Sequence, residues 1–186
     1  MAEKTKLALV AALRKQLTKK PLSKVTISDI TSDAGVNRMT FYYHFHDIYE
    51  LVEWAFRNQI FAATFEKTYT TDNWQEGALE VLNILLENKS FVMNVYHSLS
   101  REQIETNLLS GIRETVVLPL VEQLNAAGIP QEDQTFIIYF YMYGCLGSML
   151  EWVDHDMKES PTLIVDHFVR LIKSGLGGLL ENYLES

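Results

Sequence analysis

The residues best placed to do chemistry lie in one run, from Thr26 through Ala34-Gly35-Val36 to Asn37-Arg38-Met39-Thr40-Phe41-Tyr42-Tyr43-His44. Two short helical patterns flank Gly35, and a glycine in such a turn can take a positive φ that lets the second helix cross the first steeply. Ile30, Val36 and Phe41 have the apolar spacing to lock the pair. The second helix is then expected to offer Asn37, Arg38, Met39, Thr40, Tyr42, Tyr43 and His44 to a DNA major groove, where amides, guanidinium groups and phenols read base edges and phosphates. Arg38, the one long cation on that helix, suits either a bidentate guanine contact or a phosphate. Thr26 and Thr40 are expected at phosphates, because a helix start adds a favourable dipole to a hydroxyl donor. Phe41 and Phe45, four apart, should pack inward while Tyr42 and Tyr43 point to DNA.

Catalytic chemistry has little to stand on. Glu151 and His155 are one helical turn apart beside Asp154 and Asp156, which reads as an acidic, solvated helix end before it reads as a weak metal site. His44, His46, His97 and His167 share no ligand spacing with a cysteine or carboxylate cluster, and no glycine-rich phosphate loop is present. Neither an enzyme nor a metal or cofactor protein is expected.

The elements that must position this run are helices. Leu7, Val10, Ala11, Leu13 and Leu17 recur at helical spacing over about residues 3–19, and Pro21 stops them. Thr26, with Asp29 three positions on, caps a second helix, Asn37 a third and Asp47 a fourth expected to reach about Lys67. Longer segments follow at about 73–87, 90–98, 101–127, 131–156 and 161–184, about nine helices in all and an all-α fold. Pro119 falls inside one of them and should kink it near Thr115.

The 186 residues carry a net charge of -8, but unevenly. Residues 1–50 hold eight cations and five anions, +3, and the remainder is -11. A basic end that tolerates phosphates is joined to an acidic body that does not, so we read 1–50 as a DNA-binding domain and 51–186 as a regulatory and dimerisation domain. A single cysteine, Cys145, suits a reducing compartment, and neither an uncharged span of about eighteen apolar residues nor an apolar N-terminal core is seen. A cytoplasmic protein without a membrane partner is expected.

The run from Val25 to Leu51, within a broader likeness over Lys6 to Ala55, resembles the N-terminal domain of TetR-type (AcrR-type) transcriptional regulators. Trp74, Tyr96, Gly144-Cys-Leu-Gly147 and Trp152 resemble the C-terminal region of the DhaS-like subgroup. The resemblance implies a three-helix domain with a helix-turn-helix, then a helical body that binds a ligand and dimerises, acting as a ligand-responsive repressor on a palindromic operator. It also marks a departure: Ile48 stands where the family usually has a lysine early in the fourth helix, and His46 where proline is common. That puts one phosphate contact in doubt, for which Lys15, Lys19, Lys20 or Lys24 can compensate. An adaptor of the same fold that has lost DNA affinity is the alternative.

In the body, Phe136, Tyr139, Phe140, Tyr143, Gly147 and Leu150 form one apolar stripe, and Ile164, Phe168, Leu171, Gly175 and Leu179 another. Each can be intrachain core or interface. The resemblance selects an interface around Phe140, Gly144, Gly147, Phe168, Leu171, Gly175 and Leu179 of a two-fold dimer built as a four-helix bundle. Trp54, Phe61, Met93, Tyr96, His97, Tyr139 and Tyr143 are the candidates for holding an apolar or aromatic effector, with plain core as the other reading of each.

Overall fold

The computed structural model describes residues 2–62 and 66–184. Ten α-helices are found among them: α1 (Ala2–Leu17), α2 (Ile27–Ala34), α3 (Arg38–His44), α4 (Ile48–Ala55), α5 (Trp74–Glu87), α6 (Lys89–Tyr96), α7 (Arg101–Ile112), α8 (Leu118–Ala126), α9 (Gln131–Asp154) and α10 (Pro161–Leu184). No strand occurs among the described residues, so the fold is all-α as expected. The contacts divide the chain into two compact units, Met1–Ile60 with Asn88–Asn107, and Phe61–Glu87 with Leu108–Ser186.

In the first unit α1 is the central rod. Leu9, Val10, Ala12, Leu13, Gln16 and Leu17 are its buried positions, and it packs on α2, α3, α4 and α6. α2 starts on a full capping box: Asp29 N–H donates to Thr26 Oγ1 at 3.2 Å, and Thr26 N–H donates back to Asp29 Oδ2 at 2.8 Å. Gly35 ends it at φ 69°, ψ 30°, left-handed backbone that a side chain would strain, and Val36 N–H closes the turn on Thr31 O at 3.0 Å. Asn37 and Asp47 cap α3 and α4 by accepting from Thr40 N–H and Glu50 N–H.

The fourth helix, expected to run to about Lys67, is interrupted on the way, and residues 63–65 of that stretch lie outside the described residues. It leaves α-geometry at Ala55 and continues as a wider π-type turn over Phe56–Ile60. Leu51, Val52 and Ala55 bury one face, and Phe56 and Ile60 are buried after it. One extra residue per turn re-registers the helix so that these later side chains reach the core.

The second unit has α5 and α9 packed against a π-type turn, Arg113–Val117, between α7 and α8. This turn is centred on Thr115, where the kink from Pro119 was expected. Proline offers no N–H to the Thr115 carbonyl and crowds it, so the helix widens there and the expected 101–127 helix becomes two. Thr115 Oγ1 donates to Gly111 O at 2.9 Å, which satisfies a hydroxyl that is buried. The turn between α9 and α10 is fastened by Trp152 Nε1–H donating to Glu159 O at 2.9 Å. By length and composition α9 is apolar enough to cross a membrane. Ile137, Cys145, Leu146, Met149, Trp152 and Val153 nevertheless bury one of its sides in this unit.

Candidate nucleic-acid interface

Phe41 is fully buried and Phe45 nearly so, with ring centroids 6.0 Å apart. Anchoring these two turns the rest of α3 outward: Met39 is 76% and Tyr43 82% exposed, and Tyr42 and Arg38 are exposed as well. The Tyr42 ring meets Phe41 edge-on at 5.8 Å, and Tyr43 meets the half-buried His44 edge-on at 4.9 Å. These contacts limit the rotamers of side chains that are otherwise in solvent, which lowers the entropy lost when such a side chain is held against a partner.

Several expected DNA contacts are already engaged inside the unit. Both donors of Thr26 go to Asp29 Oδ2, the amide at 2.8 Å and the hydroxyl at 2.6 Å. Thr40 Oγ1 donates to Asn37 Oδ1 at 3.0 Å, and Thr40 N–H donates to the same oxygen at 2.8 Å, leaving the Asn37 amide NH2 to donate elsewhere. A phosphate therefore has to displace a capping interaction to reach the hydroxyl of either threonine.

The cations around the reader are engaged in the same way. Lys15 Nζ lies 2.7 Å from Asp33 Oδ1 and Lys20 Nζ 2.6 Å from Asp29 Oδ2. Gln16 Nε2 donates to the other oxygen of Asp33 at 2.6 Å. The Lys20, Thr26 hydroxyl and Thr26 amide donors hold the Asp29 carboxyl far below the ordinary carboxylate range, and Lys15 with Gln16 lowers Asp33. Of the four lysines considered as substitutes for the missing one near Ile48, Lys19 and Lys24 are exposed and make no ion pair among the described residues.

Other contacts that hold the reader were not legible in the sequence. Lys6 Nζ sits 5.4 Å from the Phe45 ring and 5.6 Å from that of Trp54, so α1 bears on α3 and α4 through a cation over two aromatics. On α1 as well, Arg14 donates to Asn88 Oδ1 at 3.0 Å and stacks 4.5 Å from the Phe91 ring. Asn94 Nδ2 donates to Leu17 O at 3.1 Å, capping the end of α1. Only the polar character of Asn88 and Asn94 hinted at this; pairings 74 and 77 residues apart leave no local pattern.

The seven effector candidates are divided between the two units. Trp54, Met93, Tyr96 and His97 belong to the first unit, and Phe61, Tyr139 and Tyr143 to the second. Trp54 packs on Phe45 and Lys6, Phe61 is fully buried, and Tyr139 and Tyr143 stack on each other in solvent at 6.2 Å. The dimer candidates are more coherent. Phe140 is 65% and Leu171 66% exposed, Phe168 is half-buried, and a Cβ at Gly144 or Gly147 would meet nothing within 4 Å. Phe136, at 73% exposure, extends this face by one turn, whereas Leu150, three residues on from Gly147, is buried. At Gly175 a Cβ would come 2.7 Å from the Tyr141 hydroxyl, the far end of a side chain. Leu179 lies outside the residues whose side chains are described.

Comparison with known families accounts for most of the chain. The family model for bacterial regulatory proteins of the tetR family matches residues 9–55, and that for a transcriptional regulator C-terminal region, TetR_C_8, matches 72–174. The chain belongs to the TetR family. As a TetR-type protein it is a DNA-binding transcriptional regulator, and the helix-turn-helix of α2 and α3 falls within the first of those matches. It is similar to the HTH-type dhaKLM operon transcriptional activator DhaS of Lactococcus lactis subsp. lactis (strain IL1403), at 33% identity over 73 residues, 39% of this chain. That match spans only 38% of the relative's length. Among solved structures, the dihydroxyacetone kinase operon activator DhaS matches with a TM-score of 0.69 at 19% identity, over 92% of this chain and 95% of that one, which bears on the fold alone.

Proposed function

We propose that this TetR-type regulator binds a palindromic operator as a homodimer, with residues 1–50 as its DNA-binding domain and 51–186 as the domain that dimerises and responds to an effector. The observation that carries the reading is α3, a helix anchored by buried Phe41 that leaves Arg38, Met39, Tyr42 and Tyr43 in solvent. Arg38 reads a base edge, and Asn37, Thr40, Tyr42, Tyr43 and His44 complete the contact, with Thr26 at a neighbouring phosphate. The exposed face of α9 and α10 around Phe140, Gly144, Gly147 and Leu171 pairs with its copy. Two-fold pairing sets the reading heads about 34 to 36 Å apart, one turn of DNA. A small apolar or aromatic effector acts by preferring one head spacing over another. The protein works in the cytoplasm.

Repression is the sign that the family resemblance implies, while both DhaS relatives are named activators, which supports activation. A promoter-reporter assay with and without the gene decides between the signs. A second reading, an adaptor with the fold but no DNA affinity, is favoured by the pairing of Lys15 and Lys20 with aspartates and by the overall charge of -8. Titration of a palindromic promoter fragment across salt concentrations separates the two. The regulator reading predicts binding that tightens steeply as salt falls, and no binding at low salt, where phosphate contacts are strongest, sinks it.

A further inference from the structure

The reader helix carries an apolar side chain where a base edge would meet it. Met39 and Tyr43 are the two most exposed large apolar side chains among the described residues. Both follow from the burial of Phe41: at about 100° per residue, the positions two before and two after it stand about 160° round the helix from the anchored ring. Tyr43 is in the last turn of α3 and rests edge-on against His44, whereas Met39 is in the first turn, the part of a recognition helix that reaches base edges. We propose that Met39 is a specificity-determining residue that reads a thymine through its 5-methyl group. This role rests on the operator reading above, in which α3 enters the major groove.

The other ways of recognising an A·T pair are restricted on this helix. An asparagine reads adenine by donating to N7 while accepting from the N6 amino group. The Asn37 side-chain oxygen already accepts from the Thr40 amide at 2.8 Å and the Thr40 hydroxyl at 3.0 Å, so offering it to adenine would cost α3 its cap. Neither an acidic side chain nor a glutamine occurs in Arg38–His44. Arg38 has donors only and suits the two acceptors of guanine. At about 60° from Phe41 it approaches the groove from the flank of the helix, not from its centre.

A thioether donates no hydrogen bond and accepts only weakly, so Met39 discriminates by apolar contact. The 5-methyl group of thymine is the apolar feature that distinguishes one base from another in the major groove. The three rotatable bonds of the methionine side chain let its tip settle on that methyl from a backbone position fixed by Phe41. Removing one methyl group from water is worth roughly fourfold in affinity for each reading head.

The test uses the full-length protein and a duplex that it selects from a random pool at low salt. Thymines are then replaced, one position at a time in both half-sites, by deoxyuridine, which lacks only the methyl group. At one position the replacement should weaken wild-type binding by about fivefold or more. Met39→Ala should bind the thymine duplex weaker by a similar factor and respond to the replacement by less than about twofold, while Met39→Leu, with an apolar tip, should keep most of the response. Any change in duplex stiffness meets all three proteins alike and drops out of the comparison. Met39 is exposed, so both variants should melt with the wild type. Equal responses of wild type and Met39→Ala at every thymine, or no response of the wild type at any thymine, overturn the role. Arg38→Ala tells this failure from that of the reader: if it weakens binding while Met39→Ala keeps the full methyl response, α3 stands as the reader and Met39 alone is removed. Indifference to both alanine substitutions removes α3, and a pool from which no duplex is enriched removes the operator reading and this role with it.

Discussion

Two aromatic clusters in this molecule expose their rings for different reasons. In α3 and its C-cap, Phe41 and Phe45 are in the core while Tyr42 and Tyr43 between them are in solvent beside Arg38 and the Asn37 cap. In α9, Phe136, Tyr139, Phe140 and Tyr143 are all exposed on one face, and no cation lies among residues 131–154. Exposed rings beside a guanidinium and helix-start donors suit a polar, anionic partner. Exposed rings flanked by Gly144 and Gly147 suit a partner as apolar as themselves, and a second copy of the same face meets that need. The lesson is that exposure of aromatics carries a meaning only with the charge around it.

The contrast can be broken at its anchors. Phe41→Ala removes a fully buried ring and should cost about 3 to 5 kcal/mol of stability, read from urea unfolding; a cost below about 1 kcal/mol would show that α3 is not held by this side chain. Phe140→Asp, on the exposed α9 face, should leave that stability nearly unchanged but weaken self-association by about 2 kcal/mol or more, roughly thirtyfold, in sedimentation equilibrium. Unaltered association would remove α9 from the interface. Arg38→Ala should cost about 1 to 3 kcal/mol of operator affinity and relax preference at one base pair; an equal loss across all sequences would assign Arg38 to a phosphate.

The smallest effect concerns pH. The carboxyls of Asp29 and Asp33 are lowered in the folded protein by their lysine and hydrogen-bond partners, so the unfolded chain binds protons first as pH falls. Their contribution is fully present above the ordinary carboxylate range and is lost as pH drops through it toward the lower folded values. Both pairs remain partly open to solvent, so the effect is modest and screened by salt. Acid titration should loosen α1 from α2 in the wild type and do so less in Asp33→Asn, followed by amide exchange in α2.

The reader was legible because its determinants are local. Thr26 with Asp29, Gly35 at its turn, and Asn37 before Arg38 are cap and turn signals that act within four residues, and the structure places helix starts and stops at each. Phe41 and Phe45 were also readable as inward, since their spacing fixes a shared face. The break in the fourth helix was not. Its shift to a wider turn at Phe56 answers to what the later side chains must reach, and that depends on residues distant in sequence.

By itself the sequence determined the all-α class, the position of the helix-turn-helix and the place where Pro119 breaks the helical ladder. Each rests on backbone chemistry confined to a turn or two. Tertiary structure alone decided that Lys15 and Lys20 are paired with Asp33 and Asp29, and that Arg14 joins α1 to α6. Those are meetings of side chains from separate segments, and no local periodicity encodes which of many exposed cations or buried rings will meet.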